Sequence, residues 1–158
     1  LLGTLPAFAE DPEGCDKFKW PIDRERAALT APDRTRLASG ADLNSALPVA
    51  ALMSLRPSPE ASLPTTPERI PKANTFSGFA TFKTALPPGR YTVNLSAGGW
   101  VDVVQDGQLL RSVTSSGARG CDGIRKSVKF ELPAKPFVLQ ISGVEADSIS
   151  LAIVPATE

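Results

Sequence analysis

Residues 89–110 read GRYTVNLSAGGWVDVVQDGQLL, and the fold class turns on them. Tyr91, Val93 and Leu95 alternate with Thr92, Asn94 and Ser96, the period of a strand with one apolar face. Asp106-Gly107 separates VDVVQ from QLLRSV. Asp-Gly supplies the positive φ angles of a type I′ turn, so a tight hairpin is expected there.

The same idiom extends outward. Strands are expected near 76–84, 89–96, 99–105, 108–114, 125–132, 136–142 and 147–154. Turn signals divide them: Pro87-Pro88-Gly89, Gly98-Gly99, Asp106-Gly107, the loop SSGARGCDG at 115–123, Pro133 and Gly143. The expected inward sets are Tyr91/Val93/Leu95, Val128/Phe130/Leu132, Phe137/Leu139/Ile141 and Ile149/Leu151/Ile153. Each alternates with polar residues, so each strand is expected to keep one wet face. The fold class that follows is mainly β: an antiparallel β-sandwich or jelly-roll-like core over 76–158, with a short N-terminal helix.

Toward the N-terminus the pattern is less regular. Residues 10–75 read as an arm, a short helix, a strand and a connector packed on that core. In DKFKWPI, Phe18, Trp20 and Ile22 alternate with Lys17 and Lys19, as in a short edge strand. DRERAALTA predicts a helix over about 23–31, with Asp23 as its N-cap and Pro32 closing it. LPVAALMSLR, 47–56, predicts a strand buried on both sides, with a short helix as the alternative. Beyond it Pro57, Pro59, Pro64, Pro67 and Pro71 forbid regular helix or central strand. That stretch is a stiff connector, either a docking strip for a partner or a loop crossing the sandwich. With the N-terminal strands added, two sheets of about four strands each are expected.

Composition narrows the chemistry. The chain has 158 residues, 42% of them hydrophobic, enough for one domain with a real core. Basic and acidic residues balance at 17 each, which gives no overall electrostatic footprint for nucleic acid. There are 0 histidines, which removes the usual general base, the histidine dyads and the commonest zinc ligand. Met53 is the single methionine, so no soft-metal cluster is expected.

LLGTLPAFA, residues 1–9, reads as the end of a secretory signal cleaved after Ala9; the alternative is a short buried strand. No run reaches the roughly twenty apolar residues of a membrane span. Export to the periplasm or beyond would place Cys15 and Cys121 in an oxidising compartment, where one disulfide is expected. It would close a loop of about 105 residues, worth roughly 4–5 kcal/mol in the chain-entropy treatment, and would pin the N-terminal segment to the β-domain. Two free buried thiols are the alternative.

Few residues offer a site. Trp100 and Asp102 share one strand face, with Val101 and Val103 on the other. If the valines face the core, Trp100 is exposed beside an acid, which is how a sugar platform is built. A core or inter-subunit tryptophan is the alternative. Phe18 and Trp20 on the arm are the candidate anchors for a partner. The glycine-rich loop with Arg119 and Asp122 lacks a following helix and a P-loop lysine. Asp102, Asp106 and Asp122 lack the spacing of a calcium loop. Asp122 and Glu131 are catalytic candidates only by elimination, and Ser127 and Lys126 face opposite ways along a strand. No catalytic residue, metal or cofactor is expected.

In size, export, one disulfide and absence of catalytic groups, the chain resembles the small cofactor-free accessory subunit of periplasmic membrane-bound quinoprotein dehydrogenase complexes. It also resembles secreted β-sandwich binding modules, with Trp100 as the platform. The first resemblance implies a non-catalytic structural role beside another periplasmic protein or complex; the second implies a glycan ligand. Nucleic acid is not expected as a partner.

Overall fold

The computed structural model describes residues 11–44 and 47–157, so the expected leader at 1–9 lies outside the described residues. Eleven strands form two sheets. In chain order they are β1 (Thr35–Ala38), β2 (Val49–Ser54), β3 (Arg56–Pro57), β4 (Phe76–Phe82), β5 (Gly89–Leu95), β6 (Trp100–Gln105), β7 (Gln108–Leu110), β8 (Thr114–Gly117), β9 (Lys126–Leu132), β10 (Phe137–Val144) and β11 (Ser148–Pro155). The first sheet runs β1-β2-β11-β5-β9-β8 and the second β3-β4-β10-β6-β7. Only β1 with β2 is parallel; every other pairing is antiparallel.

The Asp-Gly turn is the hinge of this topology. Asp106 has φ 53° and Gly107 φ 73°, and Gln105 pairs with Gln108 across them. Both φ values lie in the left-handed region that a type I′ turn requires. From that tip the chain pairs with itself outward: β6 with β7, β5 with β9, β4 with β10, β2 with β11. The domain is one long hairpin folded in half at Asp106-Gly107 and wrapped into two sheets, which is the jelly-roll arrangement.

All four expected inward sets lie in the core between the sheets, with Val101, Val103, Phe82, Val49, Ala51 and Met53. Phe82 and Phe137 stack there at 4.3 Å between ring centroids. In β2 the residues facing that core are fully buried, and Ala50 and Leu52 on the other side are half-buried.

The expectation of one wet face per strand is overturned. Thr92, Asn94, Ser127 and Lys129 on the first sheet are buried, as are Gln140 and Ser142 on the second. The cause is that chain segments cover both outer faces. Helix α1 (Asp23–Leu29) and the arm before it lie on the first sheet. There Phe18, Ile22, Leu29, Ala118, Ile124 and Val154 make a second apolar core. The polar strand residues anchor what lies over them: the Ser150 hydroxyl donates to the Leu29 carbonyl at 2.7 Å, and the Thr92 hydroxyl donates to Glu25 Oε2 at 3.1 Å. The proline connector crosses the second sheet. Thr65 donates its N–H to Gln140 Oε1 at 2.9 Å and receives the Gln140 amide at 3.0 Å.

Several local expectations change. Residues 17–22 form no strand; Cys15–Lys17 is a 3-10 turn, and the chain then lies across the sheet without joining its ladder. Asp23 is the first helical residue rather than the N-cap, a place held by Ile22 without a side-chain cap. The expected strand 108–114 is split: β7 belongs to the second sheet, and β8, inside the expected loop, to the first. The sheets have six and five strands rather than about four, because β1, β3 and β8 are added at their edges. The edge strands are short: β1 and β8 have 4 residues each, β7 has 3 and β3 has 2. No helix among the described residues is long and apolar enough to cross a membrane.

Candidate functional site

The disulfide decides where the arm goes. Cys15 and Cys121 are bridged, with their Cα atoms 4.8 Å apart. Gly14 donates its N–H to the Arg119 carbonyl at 2.8 Å, and Arg119 donates its own to the Pro12 carbonyl at 2.8 Å. The segment after Cys15 is thereby laid beside β8 and β9. Lys19 is held by its backbone N–H, which donates to Ser116 Oγ at 2.9 Å.

The result is a groove of about 460 Å³. Lys17 and Lys19 come from the arm, Arg69 from the connector, and Arg125 and Lys126 from the start of β9. Gly98 and Gly99, the turn between the two sheets, line it too. Asp11 is the one carboxylate among the described lining residues, and it pairs with Arg125 at 2.6 Å. Gly117 leaves room for that ion pair: a Cβ there would stand 2.8 Å from Asp11 Oδ2 and 3.2 Å from Arg125 Nη1, so those side chains would have to shift.

A second compartment, of about 330 Å³, shares Arg69, Gly99 and Lys126 with the first. Trp100, Lys72 and Glu145 line it. Trp100 is half-buried at the junction, with the Lys126 ammonium 4.6 Å and the Arg69 guanidinium 5.6 Å from the ring centroid, both within cation–π range. Lys126 also donates to the Gly99 carbonyl at 3.0 Å. Burial holds the Lys126 ammonium below its ordinary pKa; Asp11 opposes this, and Arg69 and Arg125 add to it.

Asp102 lies behind the tryptophan at 5% exposure. Its Oδ1 accepts the Trp100 indole N–H at 3.1 Å and its Oδ2 accepts the Glu68 N–H at 3.3 Å, which fixes both the ring and the connector. Burial pushes the carboxyl pKa up, against the lowering effect of those hydrogen bonds. A raised folded-state pKa means the native chain holds this proton longer than the unfolded one. The associated stability is complete below the ordinary carboxylate range and is lost as pH rises through the folded value. In Asp102→Asn that decline disappears. Urea unfolding across mildly acidic pH reads it as a change in slope, whatever the offset from placing an amide N–H₂ against an N–H donor. Parallel slopes for both proteins would mean that Asp102 titrates alike folded and unfolded.

The other sequence candidates fall elsewhere. Phe18 is buried in the second core at 8% exposure and presents no face to a partner. Trp20 is half-buried; its indole donates to Ser127 Oγ at 3.2 Å, and the Lys129 ammonium lies 4.3 Å from its ring. Both hold the arm down. Glu131 is exposed and paired with Arg90 at 2.9 Å, and Asp106 is paired with Lys135 at 2.7 Å in the hairpin turn. Among the described residues no three His, Cys, Asp or Glu side chains gather as metal ligands.

The chain matches no protein-family model, no curated protein and no solved structure. What it does is therefore read from its own residues. The groove cations escaped sequence reading because a balanced total hides clustering. One signal was present: a Cys15–Cys121 bridge brings Lys17 and Lys19 close to Arg125 and Lys126.

Proposed function

We propose that this chain is a non-catalytic, exported binding module that recognises an acidic partner or ligand through the cationic groove. It would serve as an accessory component of a larger extracytoplasmic assembly, the role implied by its resemblance to dehydrogenase accessory subunits. One observation carries the reading: a chain with net charge +0 places Lys17, Lys19, Arg69, Arg125 and Lys126, from three distant segments, around one concave surface. Fields from like charges focused in a cleft raise the local concentration of anions. The disulfide supports an oxidising compartment. The arm and the connector, the expected docking elements, contribute Lys17, Lys19 and Arg69 to the groove walls.

Retention on immobilised acidic polymers tests the reading. The wild type is expected to bind at low salt and to elute as the Debye length shortens. The triple variant Lys17→Ala/Lys19→Ala/Arg69→Ala is expected to bind about thirtyfold more weakly, at up to ~1 kcal/mol for each exposed ion pair. Equal retention of the two proteins would place recognition elsewhere on the surface.

A further inference from the structure

The groove offers more than positive charge. Its two compartments lie side by side and share Arg69, Gly99 and Lys126 as lining residues. Each is of a size to hold a small ligand segment. At the junction stands Trp100, whose indole N–H is already engaged by Asp102. What remains of that side chain is ring surface lining the second compartment, with Lys126 and Arg69 over the ring, and the part they leave uncovered can pack against apolar C–H groups. Beside it are two cations that a carboxylate can reach.

The lining is also mixed in sign. Asp11 sits in the first compartment and Glu145 in the second, and the exposed Ser115 lines the first. A polymer with a phosphate or sulfate on nearly every unit sets a high density of anions against those carboxylates and keeps fewer hydroxyl donors to offer them. A chain with one carboxylate per ring and free hydroxyls meets every group: carboxylate to the cations, hydroxyls to the acids, and a C–H face to the indole.

We infer that the ligand is a carboxylated glycan, a polysaccharide segment built of uronate residues, lying across both compartments with Trp100 and Arg69 at its centre. This rests on the cationic groove being the binding surface, as proposed above. It also revises the expected sugar platform: with Arg69 and Lys126 against the ring, the site is suited to an acidic sugar rather than a neutral one.

Calorimetric titration of the intact, disulfide-bonded protein tests it. The probes are oligogalacturonate, a neutral galactan oligosaccharide of equal length, dextran sulfate and poly-L-glutamate. Oligogalacturonate is expected to bind in a salt-dependent manner, at least tenfold more tightly than any other probe. Trp100→Ala and Arg69→Gln are each expected to weaken it at least tenfold. Arg69 is held by no hydrogen bond among the described residues beyond its ring contact, so its variant keeps the fold if Trp100→Ala does not. Equal or tighter binding of dextran sulfate or poly-L-glutamate overturns the uronate assignment and leaves the acidic-ligand groove standing. Oligogalacturonate binding that Arg69→Gln does not weaken overturns the placement. Binding of none of the three anions overturns both readings together.

Discussion

Replacing the bridge by Cys15→Ser/Cys121→Ser is expected to lower stability by roughly 4–5 kcal/mol, and the melting temperature by roughly 10–15 °C for a chain of this size. The half-cystines are 106 residues apart, so the bridge removes much of the unfolded chain's freedom. The cost has a local share as well. Cys15 and Cys121 border the second core, and Phe18, Ile22 and Leu29 are buried there only while the arm stays down. Thermal melts of both proteins in matched buffer measure the loss. Ligand binding should weaken in parallel, because Lys17 and Lys19 ride on the segment that the bridge holds. A melting temperature within two or three degrees of wild type would show that the apolar contacts alone hold the arm.

The second large effect is expected at Gln140. This side chain is fully buried and grips both backbone groups of Thr65, the point where the proline connector is fastened to the second sheet. Gln140→Leu keeps much of the volume and removes both hydrogen bonds. It leaves an N–H and a C=O against an apolar surface, at about 1–3 kcal/mol for each orphaned group. The expected total is ~2–4 kcal/mol in urea unfolding. The connector should also loosen, and trypsin should cut after Arg69 and Lys72 faster than in wild type. Arg69 belongs to the groove, so groove affinity falls as well. An unchanged cleavage rate would mean that Asp102, through the Glu68 N–H, is a sufficient anchor.

Both effects arise where sequence reading stopped short. Alternation and turn chemistry placed the strands because they are local properties. Tyr91, Val93 and Leu95 need only their neighbours to declare a face, and Asp106-Gly107 needs only its own φ preferences. That the same turn is the tip of the long β2–β11 hairpin is not local, since β2 and β11 pair across roughly a hundred residues. Thr92, Asn94, Ser127 and Gln140 were read as wet because polar side chains usually are. Thr92, Ser127 and Gln140 hydrogen-bond the segments laid over them, Asn94 bonds within its own sheet beneath that cover, and nothing in their own strands announces it. DKFKWPI misled in the opposite way. Its alternation is real, for Phe18 and Ile22 do face inward, yet an extended segment can alternate while lying on a sheet instead of joining it. The candidate site was half legible. Trp100 and Asp102 were found by their shared face, whereas the cations around them gather only through the bridge and the connector.

The brevity of the outermost strands carries its own consequence. With 2 to 4 residues each, they offer too few free backbone groups to template a neighbouring chain. Concentrated solutions of the protein should therefore resist ladder-type self-association and fibril seeding. For the same reason, any partner of the kind proposed would hold the chain by its side chains rather than by extending its sheets.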